Sequence, residues 1–190
     1  MSSHHIVREK QEPALLVLGL ESFSDELLGQ LLEWSPTVIV TQETAEKVHA
    51  FGIKIDWIIS NGVKEDLQSD IKYMPAGTDS LAEAALKYLV THNYPAVNII
   101  TDDLQLKDYL LFTDKINMVI FNANQKIYAI NSGFSKWKQA GETIELLTGT
   151  QQPLHLSGLE TIHHHRFKTT HDGFFSMQFD QPFLFIAEEL

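Results

Sequence analysis

The chain has 190 residues, 44% of them hydrophobic, enough to bury a substantial core in one large domain or two small ones. Its formal net charge of −11, with 14 Lys and Arg scattered along the chain, repels phosphate backbones and argues against nucleic-acid binding. Zero cysteines exclude disulfides and thiolate metal sites, residues 1–10 lack the apolar stretch of a signal peptide, and no apolar run is long enough to span a bilayer, so a cytoplasmic, soluble protein is expected.

Residues 14–20 are a short apolar run that predicts a buried strand. Residues 24–34 follow with Leu27, Leu28, Leu31 and Leu32 at helical spacing behind a Ser24 cap. A β-branched run over 37–41 predicts a second strand, and an amphipathic helix with Ala45, Val48 and Phe51 on one face should stop at Gly52. Strands at 56–60, 71–74, 96–101 and 117–121 then alternate with helices at 78–91 and 104–112. That alternation predicts an α/β fold: a Rossmann-like parallel sheet with helices on both faces, over residues 1–123.

Beyond residue 124 the rhythm changes to short alternating segments at 126–130, 143–147, 154–156, 174–179 and 182–186. Turn signals at Asn131-Ser132-Gly133, Gly141, Gly149, Ser157-Gly158 and Asp172-Gly173 separate them. Residues 124–190 are expected to form a small antiparallel β-sandwich.

Gly52-Ile53-Lys54-Ile55-Asp56, the apolar Trp57-Ile58-Ile59 and the loop Ser60-Asn61-Gly62-Val63-Lys64 together resemble the thiamine pyrophosphokinase family, whose members carry Gly-Ile-x-Pro-Asp, an apolar strand and Gly-Asp-Phe-Asp-Ser. Pro75-Ala76-Gly77-Thr78-Asp79 then matches the family's Lys-Asp-x-Thr-Asp, keeping Thr78 and Asp79 but placing Ala76 at the first Asp. The family's Gly-Ala-x-Gly-Gly-Arg-x-Asp-His falls on residues 101–109, where only Asp108 matches and Leu106 replaces the Arg. Further on, Ser157-Gly158-Leu159 resembles a family Gly-Leu segment. Thr169-Thr170-His171-Asp172 lies near its Ser-Asn-Glu, with His171 at the Asn.

The resemblance implies ATP and thiamine as substrates, Mg2+ as the cofactor bridging the phosphates, and a homodimer with thiamine held in a cleft between subunits. On this chain it points to Asp79 and Asp108 for catalysis and to Asp79 for the metal, with Asp102, at the carboxyl end of a strand, as a substitute metal ligand. Asn61, Gly62, Lys64, Thr78 and Thr101 are the candidates for the nucleotide, and Thr170 and His171, with Trp137 as a stacking ring, are those for thiamine. Diphosphate transfer is mostly positioning and charge neutralisation, so it needs hard oxygen ligands. Neutral Asn61, Val63 and Ala76 stand where the family has acids. The expected protein is therefore thiamine pyrophosphokinase-like but catalytically impaired, with a non-catalytic, thiamine-binding or regulatory dimer as the alternative.

Each candidate has a plainer reading beside it. Asp79 reads also as a first-turn helix acid beside a Thr78 cap, and Asn61-Gly62 as a simple turn. Thr101-Asp102-Asp103 follows a strand at the crevice where α/β sheets bind ligands, so Asp102 and Asp103 could replace lost acids; capping the next helix is the favoured reading. His163-His164-His165-Arg166 is expected to be a solvated loop, because consecutive strand side chains cannot all face one ion. Trp137 and Phe174-Phe175 could stack on a heteroaromatic ring or belong to the core.

Overall fold

The computed structural model describes residues 12–33, 37–62, 71–148 and 154–190. Two compact units divide the chain, one ending at Ala123 and the other spanning Asn124–Leu190.

In the first unit, Ala14–Val17 (β1), Val38–Thr41 (β2), Trp57–Ser60 (β3), Lys72–Pro75 (β4), Ala96–Ile100 (β5) and Asn117–Asn122 (β6) are ordered β6-β5-β1-β2-β3-β4, and all neighbours are parallel. β1 and β2 are buried at every position, as unbroken apolar runs require when both faces of a parallel sheet are covered. Leu15, Val17, Val38, Val40, Ile58 and Ile100 join Leu28 of Asp25–Leu32 (α1) and Val48 of Gln42–Ala50 (α2) in one core. The strand order reverses at β1, since β2 to β4 step away on one side and β5 and β6 lie on the other. In such sheets the crevice outside the carboxyl ends of the strands at the switch is where ligands bind.

The helix expected over 78–91 begins later, as Leu81–Thr91 (α3), because its cap is Ser80. Ser80 Oγ accepts from the Glu83 amide while Glu83 Oε2 accepts from the Ser80 amide, both at 3.2 Å, a reciprocal capping box. Gly77, at φ +65°, turns the chain ahead of it, so Thr78 lies in the turn and not at the cap. Phe51 is also displaced from its expected role. α2 ends at Ala50, and Phe51 is 52% exposed while Gly52 takes the left-handed conformation at φ +71°.

No α-helix forms at 104–112. Two single 3₁₀ turns, Leu106–Asp108 and Leu110–Phe112, stand there without side-chain caps, held by the buried Tyr109 and Phe112. Asp102 and Asp103 accordingly open no helix.

The second unit stacks two antiparallel sheets. Gln125–Ile130 (β7), Thr143–Leu146 (β9), Leu159–His163 (β11), Arg166–Thr169 (β12) and Leu184–Glu189 (β14) form one, ordered β11-β12-β9-β14-β7. Phe134–Lys138 (β8), His155–Ser157 (β10) and Gly173–Gln178 (β13) form the other, ordered β10-β13-β8. Ile130, Ile144, Leu146, Phe167, Leu184 and Ile186 from the first meet Phe175 and Met177 from the second in a shared core. Strands β8, β11 and β12 were not expected from the sequence. The His tract straddles the β11–β12 hairpin, with His163 closing one strand, Arg166 opening the next and His165 at φ +65° in the turn, all exposed.

Candidate functional site

The loops that carry the candidate residues of the first unit follow the carboxyl ends of parallel strands, whereas residues 52–56 lead into β3 from its amino end. The loop after β3 is organised by Ser60, whose Oγ donates to Gln42 Oε1 and accepts from the Gly62 amide, both at 2.9 Å. Asn61 and Gly62 are exposed on this turn. Lys64, together with Val63, lies outside the described residues. The loop after β4 is tied to its neighbour, since the Ala76 amide donates to the Ser60 carbonyl at 3.1 Å. Thr78 is exposed in this loop, and Asp79 is paired with Lys87 of α3 at 2.6 Å.

After β5, buried Thr101 folds its loop back on itself. Its Oγ1 donates to the Asp103 carbonyl at 2.8 Å and accepts from the Asp103 amide at 3.2 Å. Asn122 Nδ2 adds clamps on the carbonyls of Thr101, at 2.9 Å, and Asp102, at 3.2 Å. The Asp102 carboxylate reaches across the switch to the loop after β1, accepting from the Glu21 amide at 2.9 Å, the Ser22 amide at 3.1 Å and Ser22 Oγ at 2.8 Å. Burial alone would raise Asp102; these three donors, with Lys47 beside them, hold its carboxyl below the usual carboxylate range. Asp108 closes the first 3₁₀ turn, its amide donating to the Gln105 carbonyl at 3.0 Å. Burial, then Asp108 and Asp103, push the neighbouring Tyr109 phenol well above its ordinary value.

Loops β3 and β4 are thus adjacent, whereas the loop after β5 is set apart from them. β4 and β5 are separated by three strands, so Asp79 and Asp102 follow strands about 19 Å apart at roughly 4.8 Å per step. Among the described residues no three His, Cys, Asp or Glu gather in a metal-holding group. Near the switch, Leu20, Phe23, Leu28, Phe51, Lys47 and Asp25 line a shallow groove of about 550 Å³.

In the second unit Trp137 and Phe174 are directly opposed across β8 and β13 and are 51% and 68% exposed. Thr170 Oγ1 and His171 Nδ1 share a hydrogen bond of 2.8 Å, and the Thr170 amide donates to the Gly158 carbonyl at 3.1 Å.

Two features escaped the sequence reading. One is the set of Asp102 contacts, whose only signal was Gly19: a Cβ there would lie 2.3 Å from Asp102 Oδ2 and 2.7 Å from its backbone nitrogen. The other is a charged network inside the sandwich. Glu188, 4% exposed, accepts from Tyr128 Oη at 2.5 Å and from Lys136 Nζ at 2.9 and 2.6 Å, and Lys138 Nζ lies 3.3 Å away while bridging to Glu142. Period-two parity was the available signal, because Glu188 shares the inward parity of Leu184 and Ile186.

No family model matches the sequence, and no curated protein matches it. Solved structures do. Thiamine pyrophosphokinase from Bacillus subtilis superposes with a TM-score of 0.70 at 12% identity, covering 94% of this chain and 99% of that one. The thiamin pyrophosphokinase of Candida albicans gives 0.66 at 10% identity, with coverage of 94% and 90%. That of Geobacillus thermodenitrificans gives 0.66 at 12% identity, with coverage of 93% and 97%. At these identities the likeness is one of architecture, and what it shows is that this chain has the thiamine pyrophosphokinase fold.

Proposed function

We propose that this protein is a thiamine pyrophosphokinase-like pseudoenzyme, impaired in passing diphosphate from ATP to thiamine. The fold supports the scaffold; the occupied carboxylates support the impairment. Magnesium takes hard, charged oxygens in near-octahedral geometry, usually one or two protein carboxylates plus substrate phosphates. The residues do not fit that requirement. Asp79 is paired with Lys87, both oxygens of Asp102 accept hydrogen bonds from the chain itself, and the two acids follow strands separated by three others.

On this reading Asn61, Gly62, Lys64, Thr78 and Thr101 mark the former nucleotide loops, Asp79 and Asp108 are remnants of the catalytic and metal positions, and Asp102 is an acid at the crevice that the family motif does not carry. Trp137, Thr170 and His171 are the ligand-binding positions on the second unit, and the working form is a cytoplasmic homodimer. The exposed Trp137–Phe174 pair favours retained binding of a flat heteroaromatic ligand such as thiamine, since two large rings at the surface supply a stacking platform.

Purified protein incubated at high concentration with thiamine, ATP and Mg2+ should form no thiamine-dependent AMP. Steady AMP production above a no-thiamine control would restore the enzyme reading. Calorimetry with thiamine alone tests the binding function, and Trp137→Ala should abolish any heat observed.

A further inference from the structure

The crevice at the carboxyl ends of β1 and β5 contains a complete anion cradle, and the chain's own side chain sits in it. Two consecutive backbone amides, Glu21 and Ser22, converge with Ser22 Oγ on one carboxylate, that of Asp102, 80 and 81 residues away. Converging amides of this kind form a concavity suited to an anion. Lys47, which also lines the adjoining groove, adds a cation to the same carboxylate. Gly19 supplies the room, since any Cβ there would collide with the carboxylate and with the Asp102 backbone.

We propose that Asp102 is a tethered anion that keeps this crevice closed to phosphate-bearing ligands. The inference is independent of thiamine, because it concerns only which anion fills the cradle. A tethered group acts at an effective concentration on the order of millimolar or above, so a free phosphate must compete against it. Glu21 and Asp25 at the rim, together with the net charge of −11, further oppose a dissociable anion. Asp102 is thus an occupant rather than a ligand waiting for a metal. A ligand phosphate enters only by displacing it, and displacement would remove the side-chain tie between the loops after β1 and β5.

The test uses the full chain and inorganic phosphate as the probe. Phosphate affinity is measured by calorimetry for wild type, Asp102→Ala and Asp102→Asn, and each melting temperature is taken in phosphate and in chloride at matched ionic strength. Asp102→Ala should bind phosphate at least about tenfold more tightly than wild type and gain melting temperature in phosphate but not in chloride. Asp102→Asn, which keeps the volume and removes the charge, should gain less, and it carries the test if the alanine variant does not fold. A folded variant with wild-type phosphate affinity would overturn the proposal. So would a wild type that already binds phosphate as tightly as its variants.

Discussion

Glu188 and Lys136 make a two-point contact inside the sandwich, the lysine Nζ reaching Oε1 at 2.9 Å and Oε2 at 2.6 Å, and this pair links β14 of one sheet to β8 of the other. The Tyr128 hydroxyl and Lys138 complete the surroundings, so the carboxylate is compensated on both oxygens. Lys136 also lies 5.2 Å from the centre of the Tyr128 ring.

Removing the acid leaves two lysines facing the core without it. Glu188→Ala should cost about 2–4 kcal/mol, slightly below the range for broken buried pairs because Lys136 keeps some solvent. Glu188→Gln should cost less, since the amide retains hydrogen bonds. Urea denaturation of the three proteins gives the order directly.

The same network contributes to the acid limit of stability. Burial would raise Glu188, but hydrogen bonds from Lys136 and Tyr128 and the charges of both lysines hold it below the ordinary glutamate value. A depressed carboxyl stabilises the fold above its unfolded pKa, about 4.3, and that stability is lost as pH falls through the lower folded value. Unfolding free energy should therefore decline below about pH 4 in wild type, and more shallowly in Glu188→Gln. A pH series of denaturant midpoints checks this; equal slopes would remove Glu188 as the cause.

Gly19→Ala should destabilise the first unit by about 1–3 kcal/mol, the usual range for overpacking, because the methyl must push Asp102 and its backbone aside. Its amides should report the displacement. Hydrogen exchange at Glu21 and Ser22 should accelerate in the variant, whereas exchange in β2 should follow only the global loss.

Ser80→Ala removes one half of the box that starts α3 and should cost about 1 kcal/mol. Thr78→Ala should leave stability within about 0.5 kcal/mol of wild type, as an exposed turn residue outside the cap does. Thermal melts of both variants separate the two assignments of the helix start.

The sequence made the parallel sheet legible because β1 and β2 are unbroken apolar runs, and burial on both faces leaves no other reading. β8 stayed hidden for the opposite reason. Its inward positions are Phe134, Lys136 and Lys138, so two of three core-facing residues are charged and the alternation looks reversed. The partner that makes this tolerable, Glu188, lies 52 residues from Lys136, beyond any local pattern. The 104–112 segment misled in a different way, since its apolar residues have helical spacing but no cap, and tertiary burial of Tyr109 and Phe112 settled it as two tight turns. At the candidate site, the missing acids were visible as letters. The partners of those that remain, Lys87 for Asp79 and Glu21-Ser22 for Asp102, come from the packing of helix on loop and loop on loop.

The separation of Asp102 from the loop it holds also dictates an order of assembly during synthesis. β1 emerges first but pairs with β5, and the Glu21 amide meets its acceptor 81 residues later. Until Asp102 has left the ribosome, those amides lack their native acceptor. β1 can pair with β2 before then, but its other edge stays open until β5 has emerged, so the native closure of this sheet depends on a contact of long sequence separation.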